Sequence, residues 1–75
     1  MKTLLETIVR SLVDHPECVV IRETEQQQSI TYAIALHQED VGKVIGKNGR
    51  MIQAIRTVVQ AANESKKRID VRIEE

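Results

Sequence analysis

Residues 44–52 read Val44-Ile45-Gly46-Lys47-Asn48-Gly49-Arg50-Met51-Ile52: an apolar pair, a glycine-bounded turn, then a helix-forming run. Gly46 and Gly49 have no Cβ, so they can take positive φ or let another backbone approach closely. Asn48 tolerates the left-handed region better than most residues. Lys47 and Arg50 place positive charge beside the turn. A helix that starts after Gly49 presents its unbonded amides and the positive end of its dipole to whatever lies at the turn. Such a corner attracts phosphate.

Two other phosphate loops are excluded. A Walker A loop needs a Ser or Thr after a Gly-Lys pair, and Asn48 follows Gly46-Lys47. A dinucleotide fingerprint needs G-x-G-x-x-G, and the chain contains no G-x-G. What remains is I-G-x-x-G-x-x-I, spelled by Ile45, Gly46, Gly49 and Ile52. The bland alternative is a helix–helix joint whose glycines serve backbone geometry alone.

Charge supports the sharper reading. The formal net charge is zero. Yet residues 41–68 hold seven basic side chains (Lys43, Lys47, Arg50, Arg56, Lys66, Lys67, Arg68) against one acidic, Glu64. The rest of the chain is acidic in balance. A domain polarised in this way can hold a polyanion on one face and repel it elsewhere. Seventy-five residues suit one small domain, 1–75. No run is long and apolar enough to span a membrane, and the first residues do not resemble a secretory signal. Cys18, the lone cysteine, has no internal disulfide partner and fits a reducing, cytoplasmic setting.

Outward from the corner, periodicity gives the elements. Thr3-Leu4-Leu5-Glu6 has the form of a capping box. Leu4, Leu5, Ile8, Val9, Leu12 and Val13 recur at helical spacing, which predicts a helix over about Thr3 to Asp14, ended by Pro16. Cys18 to Glu25 is β-branched and predicts a strand that includes Cys18. Gln26-Gln27-Gln28 forms a hairpin tip. Ile30, Tyr32, Ile34 and Leu36 then alternate with Thr31, Ala33 and Ala35 as a half-buried strand. Glu39-Asp40 open a short helix at its positive end, and Gly46 stops it. A longer helix over about Arg50 to Asn63 carries Ile52, Ile55, Val59 and Ala62 on its core stripe. Ile69, Val71 and Ile73 alternate as a last strand, predicted to run parallel to the second because a two-helix crossover joins them. The expectation is an α+β fold, α-β-β-α-α-β, with a three-stranded mixed sheet and helices on one face.

This order with its central I-G-x-x-G-x-x-I resembles the type II KH domain. The likeness is closest to the small single-KH bacterial RNA-binding proteins of the KhpA (YlqC) family. It covers the whole chain and rests on the first helix, on Glu39 through Arg50, and on Ala54-Ile55-Arg56-Thr57. The resemblance implies a non-catalytic protein that binds single-stranded RNA through Lys43, Val44, Ile45, Gly46, Lys47, Asn48, Gly49 and Arg50. In such a domain the loop clamps the backbone of about four nucleotides. It further implies an RNA chaperone or post-transcriptional regulator linked to cell-envelope homeostasis and cell shape. Its implied partners are a second copy and a larger KH-domain protein, KhpB.

Tyr32 is the only aromatic of the Phe, Trp and Tyr class, so base-stacking platforms of the RRM or OB type are disfavoured. Tyr32 itself shares a face with Ile30 and Ile34 and is read as core. Lys66-Lys67-Arg68 is read as a solvated loop, and His15 and His37 as boundary residues with no metal role. No cofactor or catalytic set is expected. Met51, Ala54, Val58 and Ala61 form a second apolar stripe on the long helix. It is either a widened core face or a surface for a partner. An adaptor that uses the KH fold for dimerisation, with weak or no RNA binding, is the competing function.

Overall fold

A computed structural model describes residues 1–74. The elements are α1 (Lys2–Leu12), β1 (Val20–Glu25), β2 (Ser29–Ala35), α2 (Val41–Ile45), α3 (Arg50–Ala62) and β3 (Arg68–Glu74). Tight helical turns at Pro16–Cys18, Gln38–Asp40 and Lys47–Gly49 link them. The sheet order is β1-β2-β3. β1 pairs antiparallel with β2, with Ile21 opposite Ile34 and Glu23 opposite Tyr32. β2 pairs parallel with β3, with Ile30 beside Ile69 and Tyr32 beside Val71. The mixed α+β architecture predicted from periodicity is therefore the one observed.

The registers put Ile21, Tyr32, Ile34, Ile69 and Val71 on one face, and all five are buried. Leu5 and Val9 of α1, Val44 of α2, and Ile52, Ile55 and Val59 of α3 close over that face. The opposite face carries Val20, Arg22 and Arg72, all exposed. Each buried aliphatic side chain adds roughly 1.5–3 kcal/mol over leaving it in water, so the helices are held to one side of the sheet. Tyr32 lies in this core, 2% exposed. Burial raises its phenol pKa above the ordinary value, helped by Glu23 and Glu25.

Several local expectations are corrected. α1 starts at Lys2, not Thr3, and no side chain caps it. The Thr3/Glu6 capping box does not form: the Thr3 carbonyl accepts from Thr7 Oγ1 inside the helix, and Glu6 pairs with Arg10 at 3.2 Å. The helix ends at Leu12 because Val13 is already extended (φ −108°, ψ 159°), two residues before the predicted end. Pro16 opens the next turn instead of ending α1. That turn contains Cys18, which is half-buried and precedes the strand. Ala62, assigned to the core stripe of α3, is exposed.

Candidate nucleic-acid interface

α2 is only five residues long, and everything at the corner depends on how its two ends are held. At its start Asp40 is 1% exposed. Its carboxylate accepts from the amide of Asp14 at 3.1 Å and of His15 at 3.0 Å, which ties α2 to the segment after α1. The Lys43 ammonium hydrogen-bonds Asp14 and lies 3.9 Å from Asp40. Burial by itself would push the Asp40 carboxyl up. The two amides and the charges of His15 and Lys43 together outweigh it and hold the pKa below the ordinary value. The Asp14 hydrogen bond raises the Lys43 pKa against some desolvation, and the charges of Asp14, Asp40 and Glu39 reinforce it.

The other end of α2 opens. The Gly46 amide donates to the Gly42 carbonyl at 2.8 Å, and the chain then turns at φ 77°, ψ 175°, a region essentially reserved for glycine. A Cβ on Gly46 would also stand 2.6 Å from the Met51 Cβ and 2.8 Å from the Met51 nitrogen. Asn48 (φ 58°, ψ 27°) and Gly49 (φ 74°, ψ 14°) are both left-handed. This is the conformation that the Gly-Lys-Asn-Gly spelling predicts. Three departures from ordinary backbone within four residues swing α3 away from α2. No side chain caps the first turn of α3; the Gly49 amide donates to the Gly46 carbonyl at 3.2 Å and the Arg50 amide to the Lys47 carbonyl, so amides open to a ligand begin beyond Arg50.

Around that corner the predicted residues take different positions. Lys47, Asn48 and Arg50 are exposed, and neither cation forms an ion pair among the described residues. Ile45, Gly46 and Gly49 are half-buried. Val44, expected to offer an apolar surface, is fully buried and holds α2 to the core instead. Lys43 is turned toward Asp14 and Asp40, so its charge is partly spent away from the loop. Lys67 pairs with Glu25, and Arg68 lies 3.7 Å from Asp70. Asn63 organises that connection by donating to the Lys67 carbonyl and accepting from Ser65.

Two side chains missed from the sequence complete the wall beside α3. The Arg56 guanidinium donates to the Val71 carbonyl through Nε at 3.1 Å and NH2 at 2.9 Å. Gln60 donates to the Ile69 carbonyl at 3.2 Å. Together they cover the outer edge of β3, the free strand edge that would otherwise invite pairing with another chain. Arg56 and Gln60 stand four apart, on one face of a helix, which was legible; the outward carbonyls they meet were not.

The stripe of Met51, Ala54, Val58 and Ala61 is outside the core. Met51 is 36% and Val58 47% exposed, and both alanines are exposed. His15 and His37, read as unrelated boundary residues, stack with ring centroids 4.0 Å apart, and Glu39 lies beside both. Among the described residues no helix is long and apolar enough to cross a membrane.

A three-stranded mixed sheet with helices on one side and a glycine-flanked corner between the second and third helices defines a KH domain. The family model described as the KhpA/KhpB KH domain matches residues 2–74, and the chain belongs to that family. Proteins named RNA-binding protein KhpA are similar along nearly the whole chain. The one from Oceanobacillus iheyensis is 56% identical over 70 residues, 92% of this chain and 93% of its own. That from Clostridium acetobutylicum is 51% identical over 74 residues, 97% of this chain and 99% of its own. That from Thermotoga maritima is 41% identical over 73 residues, 97% of each chain. No solved structure matches the chain.

Proposed function

We propose that this protein is a non-catalytic binder of single-stranded RNA that takes the sugar–phosphate backbone at the Gly46–Gly49 corner. The observation that carries the reading is local. Two exposed cations, Lys47 and Arg50, flank a corner built from positive-φ backbone at the start of α3, whose first turn no side chain caps. Amides and cations serve phosphate, and the half-buried Ile45 beside the corner serves as an apolar contact for a base. Relatives carrying the name RNA-binding protein support the same assignment. Single-stranded RNA suits the site because its bases are splayed and reachable without a stacking platform. In this reading the protein acts in the cytoplasm as an RNA chaperone or post-transcriptional regulator linked to cell-envelope homeostasis and cell shape, a role proposed on the family resemblance alone.

Titration with unstructured oligonucleotides at low ionic strength tests the binding. Lys47 and Arg50 as the two contacting cations give a log-affinity against log-salt slope of about −1.4. Replacing Lys47 and Asn48 with Asp lowers affinity by about tenfold or more, while circular dichroism stays that of the wild type. Asp tolerates the left-handed position of Asn48, so the fold is not the casualty. Equal retention before and after the double substitution refutes the assignment.

A second reading rests on the exposed stripe of α3. We infer that Met51, Ala54, Val58 and Ala61 form the seat of a second copy of this chain or of a larger KH-domain protein of the KhpB kind. Val58→Glu then shifts the protein to a smaller species in sizing chromatography and leaves RNA binding at the corner in place. An unchanged elution position together with unchanged capture of a KhpB-type protein refutes it.

A further inference from the structure

We propose that His15, His37 and Glu39 form a binding site for a divalent zinc-class ion, at the end of α2 away from the phosphate corner. Atoms these residues could offer as ligands all lie within 4.8 Å of one another. The Glu39 carboxylate oxygen Oε1 is the hub, 3.6 Å from His15 Nε2 and 3.7 Å from His37 Nδ1. Tetrahedral zinc with bonds of about 2.0–2.1 Å places its donors roughly 3.3–3.5 Å apart, so the two Glu39 spacings need to close by only a few tenths of an ångström, while the two imidazole donors, within 4.8 Å of each other, close by up to roughly 1.4 Å. Two imidazoles and one carboxylate leave the fourth position to water.

The surroundings already orient the donors. Glu17 Oε1 stands 3.6 Å from His15 Nδ1, the ring nitrogen turned away from Glu39. A carboxylate hydrogen-bonded to the far nitrogen of a histidine favours the tautomer that leaves Nε2 free to bind metal, and Glu17 needs to close by several tenths of an ångström to make that bond. His15 is anchored through its own amide, which donates to the buried Asp40 carboxylate. His37 Nδ1 accepts the Glu39 amide at 3.1 Å, so that nitrogen carries a lone pair and not a proton. An ion takes the place of this amide, which water can then satisfy at the surface. The two rings now stack 21° from parallel, so one of them turns for both lone pairs to meet a single ion. Both histidine side chains are about one-third exposed and Glu39 is 75% exposed, so an ion can reach them from solvent. The donors come from the connection before β1 and the one after β2. A bound ion therefore cross-links the same two segments that Asp40 holds.

The test uses the untagged full chain and zinc ion alone, followed by isothermal calorimetry and histidine-ring NMR signals. Wild-type protein is expected to bind one ion per chain, to shift the ring signals of His15 and His37, and to melt at higher temperature as zinc increases. Cobalt substitution should give the visible absorption of a tetrahedral site. His15→Gln and His37→Asn each weaken binding by about tenfold or more. The Asn retains a side-chain acceptor for the Glu39 amide, which keeps the fold intact. Cys18→Ser leaves binding unchanged. No saturable binding to wild type, equal binding by both histidine variants, or binding that disappears in Cys18→Ser overturns the proposal. RNA titration does not enter any of these outcomes, so the site stands or falls apart from the corner.

Discussion

The two ends of α2 are built on opposite principles. At Asp40 a carboxylate leaves solvent and finds a partner for each oxygen, the amides of Asp14 and His15, with Lys43 alongside. At Gly46–Gly49 the backbone takes unusual dihedrals, the side chains stay in water, and the first amides of α3 have no side-chain cap. One end is closed and satisfied; at the other end of the helix the Lys47 and Arg50 side chains stay exposed with no ion pair among the described residues. A buried polar group must be paired inside the protein or it costs stability. A ligand can use only groups the protein has left without partners. The satisfied end is what keeps the open end in one shape, because so short a helix has little stability of its own.

Substitution at the open end should break this arrangement most severely. Gly46→Ala forces a side chain into glycine-only backbone and sets a Cβ within 2.6 Å of Met51. Strain of this kind costs about 3 kcal/mol or more before any relaxation. In a domain of this size that lowers the melting temperature by more than about 10 °C. Calorimetric melting reads it, and a change of less than a few degrees shows that α3 can shift away from the corner. Asp40→Ala comes next. It removes the partner of two amides and leaves Lys43 with Asp14 alone, so the melting temperature falls by less than for Gly46→Ala. Hydrogen exchange should quicken at the Asp14 and His15 amides first. Protection unchanged at these two amides means that the carboxylate does not hold α2 to α1.

The same contrast marks what was legible. Regular elements followed from local periodicity, and the corner followed from a spelling in which Gly, Asn and Gly fall where φ is positive. Both signals lie within a few residues of the structure they specify. The Asp40 latch does not: Glu39-Asp40 were read as charges at a helix start, while Asp40 bonds amides 25 and 26 residues earlier. His15 and His37 were read separately for the same reason, because only the packed fold stacks them. Val44 was misplaced by a different cause. In a helix of five residues, Val44 and Ile45 are adjacent apolar positions, and periodicity that short does not fix which one faces the core. The Thr3/Glu6 pattern failed because the N-cap is Met1 and not Thr3, with the Leu5 amide donating to the Met1 carbonyl and Met1 packed on the core.

The smallest effect distinguishes geometry from composition, since three glycines sit within eight residues and only two of them bend the chain. Gly42 lies inside α2 at ordinary helical geometry, and a Cβ there meets nothing within 4 Å. Its role is to be exposed backbone in a helix, where glycine is less favourable than alanine by roughly 0.8–1 kcal/mol. Gly42→Ala should therefore raise stability by up to about that much, a melting shift of a few degrees upward. RNA affinity should stay within error, because Gly42 precedes the corner and supplies none of its amides. The sign is the decisive quantity. An increase means that α2 gains from being made stiffer and that the corner needs freedom only at Gly46 through Gly49. A decrease, or a loss of RNA affinity with the fold intact, means that α2 must flex for the corner to receive its ligand, and the division between a fixed end and an open end no longer holds.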